Sequence, residues 1–420
     1  SFDRLARTYS LRLAQATPPT PGQSEKQPMT LPMRVALFDA NGVKLQTGFA
    51  GEVADEHVLI LDAEAADFVF TGVSSQPRPS LNRGFSAPIR LADDLAESDR
   101  AALAGFDDDA FAQWEALQSI SRALILDAAR RRDPAPDPSR LESLIEAVRH
   151  SVTRAAHDPA YAALLLYIPT VGELVMDMKD ADPTAIHTVR LEVRRALARR
   201  LEGRLVAALD ADEAGVFDAS ARSAGRRALR SGALSLLASL GSEHEARIVA
   251  AFESADTMTE RLAALTALSS IESGSFDLAL AAFESRWMDS ALVMDKWFGV
   301  QAMSVRGDLR ERIQRLAERP DYDLRIPNRV RALAASFSTG NPVAFHAADG
   351  WGYRFLADLI LKVDPLNPAL SARLGTAFES WRSFDAPRRH QAEAQLKRLS
   401  EATLSKNATD IVSRALADHS

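Results

Sequence analysis

Apolar and polar residues alternate along the first part of the chain, as they do in strands that bury one face. The alternating apolar positions are Leu11 and Leu13; Met33, Val35 and Leu37; Val58 and Ile60; Phe68 and Phe70. Proline-rich segments at 17–29 and 74–88 interrupt the alternation, as prolines do at sheet edges. Asn41-Gly42 tolerates the positive φ angles of a tight turn and predicts a hairpin there. Residues 1–94 are therefore predicted to form a small antiparallel β-sandwich.

From residue 95 onward the apolar period becomes that of helices. Asp107 is predicted to cap a helix whose apolar side carries Phe111, Trp114, Leu117 and Leu124. Thr257 and Glu260 form a Thr-x-x-Glu capping box ahead of another helix. Polar, proline-containing or glycine-containing breaks recur at 131–140, 178–186, 209–218, 269–277 and 363–370. Residues 95–420 are therefore predicted to form a large all-α domain of helical hairpins, solenoid-like and with a concave face.

Composition narrows the class of protein. A chain of 420 residues exceeds what one hydrophobic core usually supports, which favours at least two domains. The sequence contains no cysteine, which excludes disulfides and thiolate metal sites and weakly favours the cytoplasm. No apolar run is long enough to span a bilayer. Because the chain begins at Ser1 without an initiator methionine, we expect a processed product or a piece of a longer protein.

The formal net charge of −7 argues against general binding of nucleic acid, which needs a basic surface. Arginines nevertheless cluster at 129–133, 194–200 and 222–230. We interpret these clusters mainly as solvated helix faces with acidic neighbours. A site for a phosphate or an acidic partner is the alternative.

Signatures of a self-contained hydrolase are absent from the sequence: there is no Gly-x-Ser-x-Gly, no phosphate-binding Gly-x-x-x-x-Gly-Lys and no complete dinucleotide fingerprint. Gly350-x-Gly352 begins such a fingerprint, but Phe355 stands where the third glycine belongs. His244 precedes a glutamate as in a zinc helix, but Ile248 occupies the position of the second histidine. We therefore predict an ordinary exposed histidine beside glutamates.

Two segments are dense in chemically interesting residues. Segment 341–356 holds His346, Asp349, two glycines and several aromatic residues. The favoured interpretation is a buried imidazole that bonds backbone or Asp349 and fixes the turn, with an acid–base role as the alternative. Segment 290–303 is predicted to place Met294, Trp297, Phe298 and Met303 in a core, with Asp295 and Lys296 facing out.

Five stretches together carry a resemblance to a known family: 15–39, 82–91, 292–302, 327–358 and 367–374. They closely resemble the C-terminal half of bacterial aminopeptidase N, a zinc metallopeptidase of the gluzincin type, and the match runs in order along the whole chain. In that family the zinc motif and the motif that binds the substrate's free amine lie in earlier domains. The resemblance therefore implies a non-catalytic half with no metal and no catalytic residue of its own, inactive alone.

The resemblance also implies partners and a site. The partners would be the protein's own N-terminal catalytic domains, which carry the zinc, and peptide substrates, with neither nucleic acid nor membrane. The helical domain would close over the cleft as a chamber. Arg331 in "NRVRAL" and Arg373 in "SARL" match the arginines that meet a peptide's carboxylate, a role that suits the guanidinium fork. The alternative is that they pair with a helix C-terminus or with an acid such as Asp349.

Two other functions remain open from the residues alone. A freestanding helical-solenoid scaffold or binding protein would need no catalytic domain. An autonomous non-metal hydrolase would use His346 and Asp349 with a nucleophile such as Ser336 or Ser338.

Overall fold

The computed structural model describes residues 1–20, 22–211 and 217–417. The chain divides into two compact units, one of Ser1–Ser121 with Glu142–Leu165 and one of Arg122–Leu141 with Leu166–Ser420. The first unit contains the described strands and the helical residues within 97–121 and 142–165. This division differs from the predicted one at residues 94 and 95, and the domain limits 1–94 and 95–420 stay a prediction.

The strands form two antiparallel sheets in a β-sandwich. One sheet has the strand order β1-β2-β7-β4-β5 and the other β6-β3-β8. The strands are β1 (Phe2–Asp3), β2 (Thr8–Ala14), β3 (Leu31–Phe38), β4 (Thr47–Phe49), β5 (Glu52–Ala54), β6 (His57–Leu61), β7 (Ala65–Thr71) and β8 (Arg78–Ser80). The predicted antiparallel sandwich is confirmed.

The sandwich core follows the predicted alternation except in β6. Met33, Val35, Leu37, Leu13 and Phe70 are buried, as the pattern predicts. In β6, however, Leu59 is fully buried, while Val58 and Ile60 are 49% and 50% exposed. The prediction for this strand was wrong because all four residues from Val58 to Leu61 are apolar, and a run without polar positions does not mark its inner face.

The predicted turn after β3 is present. The Asp39 amide donates to the Val43 carbonyl oxygen, and the Gly42 amide donates to the Asp39 carbonyl oxygen. Phe38 forms an isolated β-bridge with Lys44. Gly42 has a φ of 80°, and the Asp39 carboxylate accepts from the amides of Asn41 and Val43. The hairpin is short, because the chain continues into β4 in the opposite sheet.

Helices joined by loops and short 3-10 turns make up the rest of the described chain. No strand follows residue 95 in it, apart from an isolated bridge between Ala181 and Phe384. The first are α1 (Glu97–Phe106), α2 (Ala110–Arg130), α3 (Pro138–Arg154), α4 (Pro159–Leu165), α5 (Val171–Val175), α6 (Pro183–Asp210), α7 (Ala221–Leu237), α8 (Glu245–Ser254) and α9 (Met258–Leu268). They are followed by α10 (Ser275–Trp287), α11 (Ala291–Ala302), α12 (Leu309–Ala317), α13 (Pro327–Val330), α14 (Ser336–Gly340), α15 (Pro342–Phe345), α16 (Trp351–Val363), α17 (Pro368–Gly375), α18 (Ala386–Glu401) and α19 (Lys406–Leu416).

The predicted breaks coincide with gaps between helices, although residues 212–216 of one break lie outside the described residues. Thr257 caps α9 by accepting from the Glu260 amide at 3.2 Å, as predicted. The predicted cap at Asp107 was wrong. Asp109 accepts from the Ala112 amide at 2.8 Å, whereas Asp107 is buried and bonded to Arg83 at 2.6 Å. No helix among the described residues is long and apolar enough to cross a bilayer.

Candidate functional site

Arg331 lies in a continuous helical run of residues 327–340, which consists of α13, a π-helical turn (Arg331–Ala335) and α14. Pro327 at the first helical position fits the start of the run, because proline has no amide hydrogen to lose there. The π turn faces Gly299 of α11. A Cβ at Gly299 would lie 3.3 Å from Ser336 Oγ and 3.6 Å from the Ala332 carbonyl oxygen, so the two backbones approach closely. Single π turns recur at functional sites.

Two arginines in this run have opposite environments. Arg329 is buried, donates to Asp295 at 2.7 Å and to Asp321 at 3.2 Å, and stacks over Phe298 with its Cζ 4.6 Å from the ring centre. Arg331 is exposed, and its Nη2 donates to the side-chain oxygen of Asn328. The difference follows from helix geometry, since residues two apart point to different sides.

Arg373, the second predicted substrate residue, is exposed near the end of α17. Among the described residues, no carboxylate pairs with Arg331 or Arg373. The predicted alternative partner, Asp349, bonds Arg310 instead, at 3.3 Å. Both guanidinium groups are therefore accessible to a ligand, and their role in binding substrate stays a prediction.

His346 is a buried structural residue. Its Nδ1 lies 2.9 Å from the Tyr353 hydroxyl, and its ring packs on Phe384 with ring centres 3.9 Å apart. Arg388 donates from Nε to the His346 carbonyl oxygen at 2.6 Å. Burial, with a smaller contribution from the Arg388 charge, lowers the pKa of His346 to about 3. The imidazole is therefore neutral near pH 7. The predicted burial of His346 is confirmed, but its ring bonds Tyr353 rather than backbone or Asp349.

Asp349 is exposed and acts as a local cap, since its carboxylate accepts from the Trp351 amide at 3.0 Å. Within the described residues no hydrogen bond or ion pair joins Asp349 to His346, and no hydrogen bond joins the His346 ring to Ser336 or Ser338. The acid–base pair and the serine nucleophile of the hydrolase hypothesis are therefore not assembled.

Both glycines of the Gly-x-Gly sequence meet a requirement of the backbone, a positive φ angle at the first and a close backbone approach at the second. Gly350 has a φ of 70° and precedes α16. A Cβ at residue 352 would lie 2.2 Å from the Phe345 carbonyl oxygen, so α15 and α16 meet there backbone to backbone. Phe345 and Tyr353 pack edge to face beside this contact, with ring centres 5.3 Å apart. The segment's glycines and aromatics thus build a core.

Segment 290–303 is largely core, as predicted. Met294, Trp297 and Phe298 are buried and Lys296 is exposed. Met303, however, is 40% exposed at the end of α11. Asp295 was wrongly predicted to face solvent, because the ion pair with Arg329 holds it partly buried.

His244 bonds Glu202 at 3.1 Å, as expected of a histidine near glutamates, but its side chain is only 12% exposed rather than open to solvent. Within residues 1–20, 22–211 and 217–417, no group of three or more His, Asp or Glu side chains fits a metal ion.

The arginine cluster at 194–200 is only partly a solvated face with acidic neighbours. Arg195 bonds Glu192, and Arg199 bonds Glu243, as predicted. Arg194 instead shares a half-buried side of α6 with His187 and Arg190 and contacts the backbone and hydroxyl of Ser235. The sequence held a signal for this: the spacing 187, 190, 194 places all three on one side of a helix.

Comparisons with known proteins agree with this architecture. A family model described as "Domain of unknown function (DUF3458_C) ARM repeats" matches residues 97–417, and one described as "Domain of unknown function (DUF3458) Ig-like fold" matches residues 1–94. The helical part is thus an ARM-repeat array, which confirms the solenoid-like prediction.

The chain is similar to aminopeptidase N of Caulobacter vibrioides, with 37% identity over 86% of this chain and 42% of that protein. It is also similar to aminopeptidase N of Escherichia coli, with 32% identity over 97% of this chain and 47% of that protein. The crystal structure of Legionella pneumophila aminopeptidase A in complex with aspartic acid superposes with a TM-score of 0.84 at 26% identity, covering 99% of this chain and 48% of that one. The chain spans about half the length of the curated relatives it matches. It belongs to the DUF3458 family and is homologous to the C-terminal part of aminopeptidase N.

Proposed function

We propose that this chain is the non-catalytic C-terminal portion of an aminopeptidase that removes N-terminal residues from peptides. It supports a zinc-bearing catalytic portion and forms part of the chamber that holds the peptide, in the cytoplasm. The homology to the C-terminal part of aminopeptidase N supports the assignment. The described residues offer no group that fits zinc, so in this proposal the metal and its chemistry belong to the N-terminal portion.

One observation carries the substrate part of the proposal: Arg331 and Arg373 are exposed and lack a carboxylate partner among the described residues. A guanidinium fork binds a carboxylate through two parallel hydrogen bonds. In this proposal the two arginines hold the carboxylate end of a peptide while its amino end reaches the catalytic portion. Enclosure by the helical array excludes water and folded proteins from the reacting bond.

The first test is complementation. The 420-residue chain and a separately produced N-terminal portion are assayed alone and mixed, with an aminoacyl-anilide and with short peptides. We expect no hydrolysis by the chain alone and restored peptide hydrolysis in the mixture. Hydrolysis by the chain alone that survives a chelator would refute the proposal. A mixture that forms no complex would favour the alternative of a freestanding helical scaffold.

The second test addresses the arginines in the full-length protein. Arg331→Met and Arg373→Met should each raise KM for peptides with a free carboxylate by roughly ten to a hundredfold, the value of one charge-assisted contact. The aminoacyl-anilide has no carboxylate and should be hydrolysed as before. Arg325→Met, which changes an exposed arginine paired with Asp323, is the matched control and should change neither KM. Equal losses on both substrates would contradict the assigned role.

A further inference from the structure

Helix α6 carries three basic side chains on a side that is otherwise apolar. Along most of its 28 residues this side packs inward through residues that include Leu197, Leu201 and Leu205. Toward the N-terminal end the equivalent positions are His187, Arg190 and Arg194, which are half-buried and spaced three and four residues apart. We call these three residues the α6 basic face.

The hydrogen bonds of this face leave donors unused. Arg190 donates to the carbonyl oxygens of Pro169 at 2.5 Å and Ile168 at 3.2 Å. Arg194 donates through Nη2 to the Ser235 carbonyl, and to its hydroxyl at 2.9 Å. Among the described residues, Nη1 of both arginines and Nε of Arg194 have no partner. Since each guanidinium carries five N–H donors, both retain hydrogen-bonding capacity.

Among the described residues, no carboxylate forms an ion pair with the α6 basic face. Burial lowers the pKa of Arg190, and burial together with the Arg190 charge lowers the pKa of Arg194 to about 9. Burial and the neighbouring arginines also lower the pKa of His187. Tyr167 and the Glu173 carboxylate act on the pKa of Arg190 in the opposite direction, but that carboxylate accepts hydrogen bonds from Thr170 and Tyr167 rather than from Arg190. Among the described residues, the face therefore holds two half-buried like charges side by side, with no carboxylate bonded to either.

The arginines that are fully buried among the described residues are each paired with a carboxylate. Arg83 bonds Asp107, Arg312 bonds Asp277, Arg329 bonds Asp295, and Arg388 bonds Asp385. A desolvated charge without a counter-charge is costly, and proteins usually pair it. The α6 basic face departs from this rule, and a bound anion would restore it.

We propose that the α6 basic face is a second carboxylate-binding site, an alternative to Arg331 and Arg373 for the C-terminal carboxylate of a peptide, so that one peptide occupies one site or the other. Arg190 and Arg194 bind the carboxylate oxygens with their unused N–H groups, and His187 lies beside them as a neutral donor. That the carboxylate belongs to a peptide rests on the proposed function. That the face binds an oxyanion rests on the geometry alone.

The test measures binding to the 420-residue chain by titration calorimetry, with N-acetyl-trialanine, its C-terminal amide, and sodium sulfate as probes. In the Arg331→Met/Arg373→Met background, which removes the first carboxylate site, we expect the free acid to bind at least about tenfold more tightly than the amide. Adding Arg194→Gln should weaken binding of the acid by about tenfold. Arg199→Gln, which changes an exposed arginine of the same helix, should leave the affinity unchanged. Arg194→Lys keeps the charge and should stay within about threefold, which also covers the case in which the glutamine variant does not fold.

Each possible result either supports or overturns the proposed carboxylate site. Equal affinity for acid and amide, or equal losses in Arg194→Gln and Arg199→Gln, overturns the site. Binding of sulfate without the peptide acid supports an oxyanion site and overturns the peptide as its ligand. Loss of binding in Arg331→Met/Arg373→Met but not in Arg194→Gln overturns the second site. Because complementation with the catalytic portion is measured separately, failure of the proposed function leaves this result interpretable.

Discussion

Segment 341–356 and the adjoining helical run 327–340 differ strongly in sequence, and the structure reverses their apparent roles. Segment 341–356 is rich in histidine, acid and aromatic residues, yet it directs His346 and Tyr353 into a core. The helical run has the sequence of an ordinary helix, yet it exposes Arg331 beside a π turn. The comparison teaches that accessibility, more than the density of reactive residue types, marks a surface that can meet a ligand.

The same contrast appears within the helical run. Arg329 and Arg331 are chemically identical and two residues apart, but one is buried in a carboxylate network and the other is open to solvent. Stability should depend on the first and ligand binding on the second. Three predictions sharpen this division.

The largest effect is expected from Arg329→Met. Removing a buried partner leaves Asp295 partly buried and uncompensated, which typically costs about 3–5 kcal/mol. Arg331→Met, the matched control two residues away, should change the free energy of unfolding by less than about 0.5 kcal/mol. Urea denaturation of both variants measures the difference. Similar midpoints for the two would erase the distinction between them.

The next effect is expected from Gly352→Ala. The added Cβ would meet the Phe345 carbonyl oxygen at 2.2 Å, and relieving such a contact between backbones should cost about 3 kcal/mol or less. Gly203→Ala on α6 has open space and should be stabilising by roughly 0.5–1 kcal/mol, because alanine favours a helix. Thermal unfolding of both compares the two sites. A Gly352→Ala protein as stable as the parent would show that α15 and α16 separate easily.

The smallest effect concerns pH. His346 has a folded-state pKa of about 3, below its unfolded value near 6.5, so the unfolded chain binds the proton more readily. The contribution of His346 to the free energy of unfolding is complete above pH 6.5 and is lost as the pH falls toward 3. Between pH 7 and pH 5 the loss is about 2 kcal/mol. His346→Gln should lack this part of the pH dependence. His390→Gln, at an exposed position on α18, should retain it.

The competing outcome is that the His346 imidazole takes up a proton in the folded protein as readily as in the unfolded chain. If the difference in unfolding free energy between the parent and His346→Gln were constant from pH 7 to pH 5, the imidazole would not be held neutral by burial.

Most of the architecture was predictable because it is local. Alternation in Met33, Val35 and Leu37 identified a half-buried strand, and Thr257 identified the start of α9. Where local signals were ambiguous, prediction failed. In β6 every position from Val58 to Leu61 is apolar, so the sequence does not show which residues face the core. Before α2 several aspartates could cap the helix, and the pairing of Asp107 with Arg83 decides which one does.

The candidate site was less predictable than the fold. Resemblance singled out Arg331 and Arg373, but nothing local distinguishes Arg331 from Arg329. The α6 basic face was hidden inside a sequence cluster in which Arg195 and Arg199 behave as predicted and Arg194 does not. Whether an arginine finds a carboxylate depends on residues far away in sequence.

The sequence by itself determined the order of a β-sandwich and a helical array, the breaks between helices, and the lack of a zinc or nucleophile motif, because these depend on periodicity and spacing within one segment. The tertiary structure decided that His346 is buried against Tyr353, that Asp349 pairs with Arg310, and which arginines remain open. Burial and pairing arise between distant segments, so their effects on charge and access cannot be read from one segment alone.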